Sequence, residues 1–324
     1  MVNYAVVLTT GSQYHQSRLT YNRPRAMLPI MGKPMVVRAM DLLYRAGIRR
    51  FTVVVGEDEG GVAAYLSSHW MPNVALEFAI QSSSLTRTLA EITRHDRQPF
   101  IITSYNTFIQ ANYLERLLHH YRERGEGLVL SGANMSLSKS EDHYYAQVDK
   151  HIVTQITSGT SAPPGAYILS NLAVCGSPFT DFLAGLTLNT QAFTRNWLDL
   201  AILYTQRGGY STVADAAWIL QVETDLDLLT INRLLLDEAV DAHILSELPG
   251  TVQIIPPVRI DPQVSIGQGA VIGPHTYLES GCSVGQGAVV RRAVVLQSAV
   301  IPAKEMISDM IVSSKMRITA ASPT

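Results

Sequence analysis

Residues 8–34 read LTTGSQYHQSRLTYNRPRAMLPIMGKP, and what flanks them decides the fold. Upstream, Tyr4 to Leu8 is an uninterrupted apolar run of strand type that breaks at Gly11. A polar loop follows, then Pro29 and a Gly32-Lys33-Pro34 turn. Downstream, Met35, Val36, Ala39, Met40, Leu43 and Ala46 recur at helical spacing, and Gly47 stands where a helix C-terminal cap belongs. Phe51 to Val55 is a second strand. The order strand, loop, helix, strand is a βαβ unit, and the ligand crevice of such a unit lies at the carboxyl ends of its strands.

The register of Leu8, Gly11, Leu19, Thr20, Pro24, Ala26, Leu28, Pro29, Gly32, Lys33 and Pro34 resembles, without a gap, the opening signature of the sugar-1-phosphate nucleotidyltransferases, or NDP-sugar pyrophosphorylases. The resemblance implies a Rossmann-like nucleotidyltransferase domain. The departures from the signature are as specific as the matches. Gln13, Tyr14 and His15 stand where the family has the glycine, threonine and arginine that wrap the nucleotide phosphates. Bulky side chains there oppose a close approach of backbone to phosphate. Arg25 replaces the family lysine, keeping the charge but not its point-charge geometry.

Further along, Asn106 follows the strand Phe100–Thr103 where the family places a Mg²⁺-binding aspartate. Counting back from Asn232 through Leu229, Leu228, Asp227 and Thr224 puts Gln221 at the second such aspartate. A hard cation prefers carboxylate oxygen, and an amide brings no negative charge. Gln81 corresponds to a glutamine that reads the nucleobase edge, while Thr86-Arg87-Thr88 replaces a G-T-A turn and Ser158-Gly159-Thr160 falls near the E-K-P sugar-phosphate motif. Gly165 to Leu169 matches a family strand. The resemblance therefore assigns no catalytic residue, the family positions being held by His15, Arg25, Asn106 and Gln221. It carries over Leu8, Gly11, Arg25, Gln81, Asn106, Gly165 and Gln221 as substrate-binding positions, and no metal ligands.

The period changes after residue 250. An aliphatic residue recurs at every sixth position, Ile254, Ile260, Ile266, Ile272, Leu278, Val284, Val290 and Leu296, each preceded by two places by a small or β-branched residue or by Cys282. This resembles the hexapeptide repeat of a left-handed parallel β-helix, whose triangular coil takes roughly 18 residues. The repeats amount to under three coils, with Pro302 expected to break the pattern. The expected architecture is an α/β nucleotidyltransferase-like domain over residues 1–248, ending in a helix from Asp225 to Ala242, and a β-helix domain over residues 249–324.

A chain of 324 residues with 47% hydrophobic and 16% charged residues can bury a core of about two-domain size. A formal charge of −2 without a basic block excludes nucleic acid as an expected partner. The lack of an apolar run of membrane length and of a leader-like start sets the expectation of a cytoplasmic protein with no membrane partner. Cys175 and Cys282 read as buried small hydrophobes. The nine histidines show no zinc spacing. His119 and His120 read as a solvated face of a helix over Tyr113–Arg124, and His15 as a loop side chain.

Loss of the metal carboxylates removes several kcal/mol of charge stabilisation, and each ~1.4 kcal/mol is tenfold in rate. The reading that follows is a degenerate, non-catalytic relative that acts as a binding, regulatory or structural subunit in NDP-sugar metabolism. It carries no cofactor. Its partners are a nucleotide or sugar nucleotide and, through the β-helix, further copies or an active paralogue. One alternative is an active divergent pyrophosphorylase with Mg²⁺ held mainly by substrate phosphates. Another is a hexapeptide-repeat acyltransferase with His275 as general base.

Overall fold

A computed structural model describes residues 2–10, 17–21, 23–70, 73–81, 84–110, 112–140, 142–186, 196–239 and 242–320. The chain divides into two compact units, one of Met1–His15 with Met35–Glu223 and the other of Gln16–Pro34 with Thr224–Thr324. The opening segment is thus shared between them. Gly11, Gln13, Tyr14 and His15 lie outside the described residues.

The first unit is built on a nine-stranded sheet among the described residues. Its spatial order is Ala75–Gln81, Arg50–Gly56, Tyr4–Leu8, Phe100–Ser104, Tyr167–Cys175, Leu128–Ala133, Ser211–Ala216, Ile152–Gly159 and His143–Asp149. The first four strands run parallel, as the βαβ reading requires. Tyr4–Leu8 is buried at every position because parallel strands covered on both faces alternate with nothing polar. The helix Met35–Arg45 ends as expected, with Gly47 at φ +97 and Ile48 N donating to Leu43 O at 3.1 Å. The helix Tyr113–Arg124 is also where the sequence puts it.

Two details differ. The strand expected from Gly165 starts at Tyr167, because Gly165 adopts φ +69 in a turn closed by Ala166 N on Pro163 O. His120 is not on a solvated face: it is half-buried with Nε2 3.2 Å from Thr212 Oγ1, and burial lowers its pKa. His119 is exposed, beside Glu123. Both cysteines are buried. Burial holds the Cys175 thiol well above its ordinary range and pushes Cys282 up to about 12, so both are neutral thiols at pH 7. Among the described residues no helix is long and apolar enough to cross a membrane.

The second unit is a short parallel β-helix joined by the helix Asp225–Ala239, which ends three residues before the expected Ala242. Ala242–Ile244 instead forms a strand parallel to Val258–Ile260. The coil length is visible in the pairing: Val258 lies over Thr276, Ser265 over Ser283 and Val271 over Val289, each eighteen residues apart. Ile260, Ile266, Ile272, Leu278, Val284 and Val290 are all buried in one aliphatic stack. After Val290 a coil is one residue shorter, since Leu278 pairs with Val295 and Val289 with Met306. Val295 therefore joins the stack where the strict period predicts Leu296.

Pro302 does not end the pattern. Val300–Ile301 and Met306–Val312 continue the parallel ladders, and Arg317–Thr319 closes the end antiparallel. Pro302 sits between those strands, where a missing N–H costs no ladder bond, and its carbonyl accepts from Glu305 N.

The segment Gln16–Pro34 belongs to this unit through polar anchors. Ser17 Oγ donates to Asp225 Oδ1 at 2.7 Å, Met31 N to Asn232 Oδ1 at 2.9 Å, and Arg23 forms a two-pronged pair with Glu279 at 2.6 and 2.8 Å. Glu279 also accepts from Gln297 N, which ties the arginine to the β-helix backbone.

Two outcomes follow for thermal and chemical denaturation. Gly267→Ala lowers stability by about 1–3 kcal/mol because its Cβ would stand 2.4 Å from Gln286 N, whereas Gly250→Ala, with open space around it, is near neutral. Glu279→Leu costs about 3 kcal/mol by stranding Arg23, and adding Arg23→Met restores part of it, Gln297 N remaining without its acceptor.

Candidate functional site

Two polar side chains far apart in sequence meet at the carboxyl end of the sheet. Asn106 lies in the tight turn that links the strand Phe100–Ser104 to Thr107–Ile109. The latter pairs antiparallel with Ile219–Gln221, so that Gln221 stands opposite Thr107, next to Asn106. The junction is closed by Val222 N on Asn106 O at 2.9 Å and by Asn106 Nδ2 on Val222 O at 3.2 Å.

Around this junction the first unit has an open cavity of about 270 Å³. Asn106 and Gln221 line it, together with Asn171, Asn196, Asp142, Glu223, His143, Tyr144, Ser158 and Gly159. Ser158 and Gly159 end one strand of a hairpin and face Tyr144 and His143 across it. Asn171 is delivered by an irregularity between Leu169 and Ala173, where the register with the Leu128–Ala133 strand shifts. Asn196 accepts from Leu198 N at 3.1 Å and donates its own N–H to Asp199 at 3.3 Å, setting the start of the helix Leu198–Gln206. Tyr144 Oη donates to the same Asp199 at 2.8 Å.

The electrostatic character of the cavity is set by what lines it. Among the described lining residues four are amides, two are carboxylates, and none is lysine or arginine. Asn106 is 1% and Asn171 4% exposed, and the Oδ1 of each has no hydrogen-bond donor among the described residues. An amide oxygen buried without a donor is costly, of order 1–3 kcal/mol.

The donor set does not fit a tightly held Mg²⁺. The two positions where the signature calls for carboxylates present neutral amides, and among the described residues no group of three or more histidine, cysteine, aspartate or glutamate side chains could hold a metal ion.

The remaining positions carried over from the signature are dispersed. The Leu8 side chain is in the core, 1% exposed, and its carbonyl is taken by Tyr105 N. Gln81 ends the edge strand and accepts from Thr10 Oγ1, outside the cavity lining. Gly165 is in an exposed turn, and Arg25 is in a short helix of the second unit. Gly11 and His15 are not described. Thr86-Arg87-Thr88 is not a loop but the first turn of a helix capped by Ser84. Thr224 and Asp227 form a reciprocal cap at the start of the helix Asp225–Ala239, with Thr224 N on Asp227 Oδ2 at 2.7 Å and Asp227 N on Thr224 Oγ1 at 3.2 Å.

Asp142, His143, Tyr144, Asn171, Asn196 and Glu223 were not singled out from sequence. For Asn171 a signal exists: Ser170-Asn171 interrupts an otherwise apolar strand, YILSNLAVC. The others come together through tertiary pairing alone.

Residues 4–157 match the Nucleotidyl transferase family and residues 254–322 the GMPPB C-terminal domain. The chain is 26% identical over 295 residues to the bifunctional protein GlmU of Thermus thermophilus, covering 86% of this chain and 62% of that protein. Against GlmU of Exiguobacterium sibiricum it is 24% identical over 181 residues, which span 49% of this chain and 38% of the relative. A Thermotoga maritima structure, the inositol-1-phosphate CTP transferase, superposes with a TM-score of 0.59 at 14% identity over 72% of this chain and 96% of that one. A Bacillus anthracis structure designated a glucose-1-phosphate thymidylyltransferase, in complex with a sucrose, gives a TM-score of 0.61 at 17% identity over 71% and 94%. At those identities the structural likeness shows the fold.

Asn106→Asp combined with Gln221→Asp is expected to raise Mg²⁺ affinity at least tenfold in calorimetric titration, the two substitutions placing carboxylates at adjoining positions. An unchanged affinity in a folded double variant would count against this pairing as the relic of a metal site.

Proposed function

We propose, from the premise that residues 4–157 are a nucleotidyl transferase domain and residues 254–322 a GMPPB C-terminal domain, that this chain has kept the family fold and lost pyrophosphorylase chemistry. The observation that carries the reading is the pairing of Asn106 with the Gln221 strand. Two neutral amides adjoin at the carboxyl end of the sheet, in a cavity with no lysine or arginine among its described lining residues. Nucleotidyl transfer passes through a phosphorane-like charge that needs metal or cationic side chains to stabilise it. Here neither register position supplies a carboxylate.

In this reading the protein is a binding, regulatory or structural subunit in NDP-sugar metabolism. The β-helix is its assembly module, meeting further copies of the chain or an active paralogue, and the first unit retains a ligand pocket without turnover. His275 is no general base in this reading. Its Nε2 is 2.5 Å from Asp237 Oδ1 on the helix Asp225–Ala239, which gives it a structural partner.

The reading is tested with purified chain, Mg²⁺, the four nucleoside triphosphates and a panel of sugar 1-phosphates. Pyrophosphate release at the rate of the no-enzyme control is expected. Release above that control would establish an active, divergent pyrophosphorylase in its place.

A further inference from the structure

From the Asn106 junction outward, two stretches of the first unit are bonded to each other step by step. One holds the strand Thr107–Ile109 and the helix Tyr113–Arg124, and the other holds the strands Ser211–Ala216 and Ile219–Gln221. At the site end Val222 N donates to Asn106 O, and Thr107–Ile109 pairs antiparallel with Ile219–Gln221. Gln110, with its amide turned to satisfy both neighbours, accepts from Ala217 N at 3.0 Å and donates to Trp218 O at 3.2 Å. Tyr113 Oη then donates to Ala214 O at 2.6 Å, and Arg116 to Asp215 O at 3.1 Å. His120 Nε2 follows, 3.2 Å from Thr212 Oγ1, and at the far end Tyr210 Oη donates to Arg124 O at 3.3 Å.

Of the side chains that make this seam, only His120 changes charge between pH 5 and 8. It is half-buried, and its partner is a neutral hydroxyl. Burial first, then the Arg124 guanidinium, lower its pKa. His151, in the turn between the strands His143–Asp149 and Ile152–Gly159, and His119 on the same helix act in the same sense, and Glu123 acts against them.

We propose that His120 is an acid-sensitive catch on this seam: its protonation frees the helix Tyr113–Arg124 from the strand Ser211–Ala216 and loosens the strand pairing that holds Gln221 beside Asn106. The catch works whether or not the site turns over, and so does not rest on the non-catalytic reading.

The neutral ring can donate to the Thr212 hydroxyl or accept from it, whereas the cation only donates and brings a charge into a partly buried place. The folded chain holds His120 below the ordinary histidine value of about 6.5. The stability carried by the neutral ring is therefore complete above that pH and is lost as pH falls through the folded value. The loss reaches the site because the helix continues directly from Thr107–Ile109, and Ser211–Ala216 leads directly into Ile219–Gln221. A two-stranded pairing of three residues a side is marginal by itself and leans on the bonds that follow it.

The test is amide hydrogen exchange of the intact chain at pH 7 and pH 5, each rate divided by its intrinsic value. The Val222 amide, which donates to Asn106 O, is expected to lose about tenfold in protection at pH 5, while the Thr9 amide, which donates to Val54 O outside the seam, keeps its own. His120→Gln keeps an amide donor near the Nε2 position without titrating, and is expected to abolish the difference. Followed by NMR, the His120 ring is expected to titrate below about 6.5, and higher in His151→Asn, which removes a like charge. Equal Val222 protection at the two pH values, the same loss in folded His120→Gln, or a His120 ring that titrates at or above the ordinary value would overturn the proposal. If His120→Gln does not fold, the Val222 protection and the ring titration of the unaltered chain decide it.

Discussion

The two hydrogen bonds between Asn106 and Val222 hold together what the rest of the site depends on. They join positions more than a hundred residues apart and bring Gln221 beside the turn at the carboxyl end of the Phe100–Ser104 strand. The same bonds also fix the chemistry. By committing Asn106 Nδ2 to a backbone carbonyl they leave its amide oxygen without a donor among the described residues.

The opening segment is divided between the two units. Its matching positions between Leu19 and Pro34 belong to the second unit, where Ser17, Arg23 and Met31 are anchored to Asp225, Glu279 and Asn232. Gly32 has a physical reason to be there: at φ +75 a side chain is strained, and a Cβ would collide with the Arg259 guanidinium. Arg259 in turn donates to Asp261, which accepts from Tyr277 Oη at 2.7 Å. Burial, with Asp261 beside it, raises the Tyr277 pKa, so the phenol remains a donor. The chain of contacts is one of packing and hydrogen bonding throughout.

The β-helix illustrates the opposite economy, in which one short period repeated along the chain makes a core without distant coincidences. Each inward aliphatic residue meets its equivalent one coil away, so stability is spread over nearest neighbours. That is why a coil can lose one residue after Val290 and still stack, with Val295 taking the place that the period gives to Leu296. It is also why Pro302 is tolerated between two strands.

Sequence alone was enough for whatever depends on local pattern. The strand Tyr4–Leu8, the helix Met35–Arg45 with its Gly47 cap, the helix Tyr113–Arg124, the buried cysteines and the six-residue period all follow from periodicity and composition. Family register reached further, naming Asn106, Ser158, Gly159 and Gln221 in three separate stretches that the fold gathers around one cavity. Asn171 left only the trace of a polar pair in an apolar strand, and Asp142 and Glu223 were out of reach, as was the division of the opening segment between two units. Strand pairing, a register shift and side-chain burial decide those, and each is a property of residues distant in sequence whose meeting no local spacing encodes.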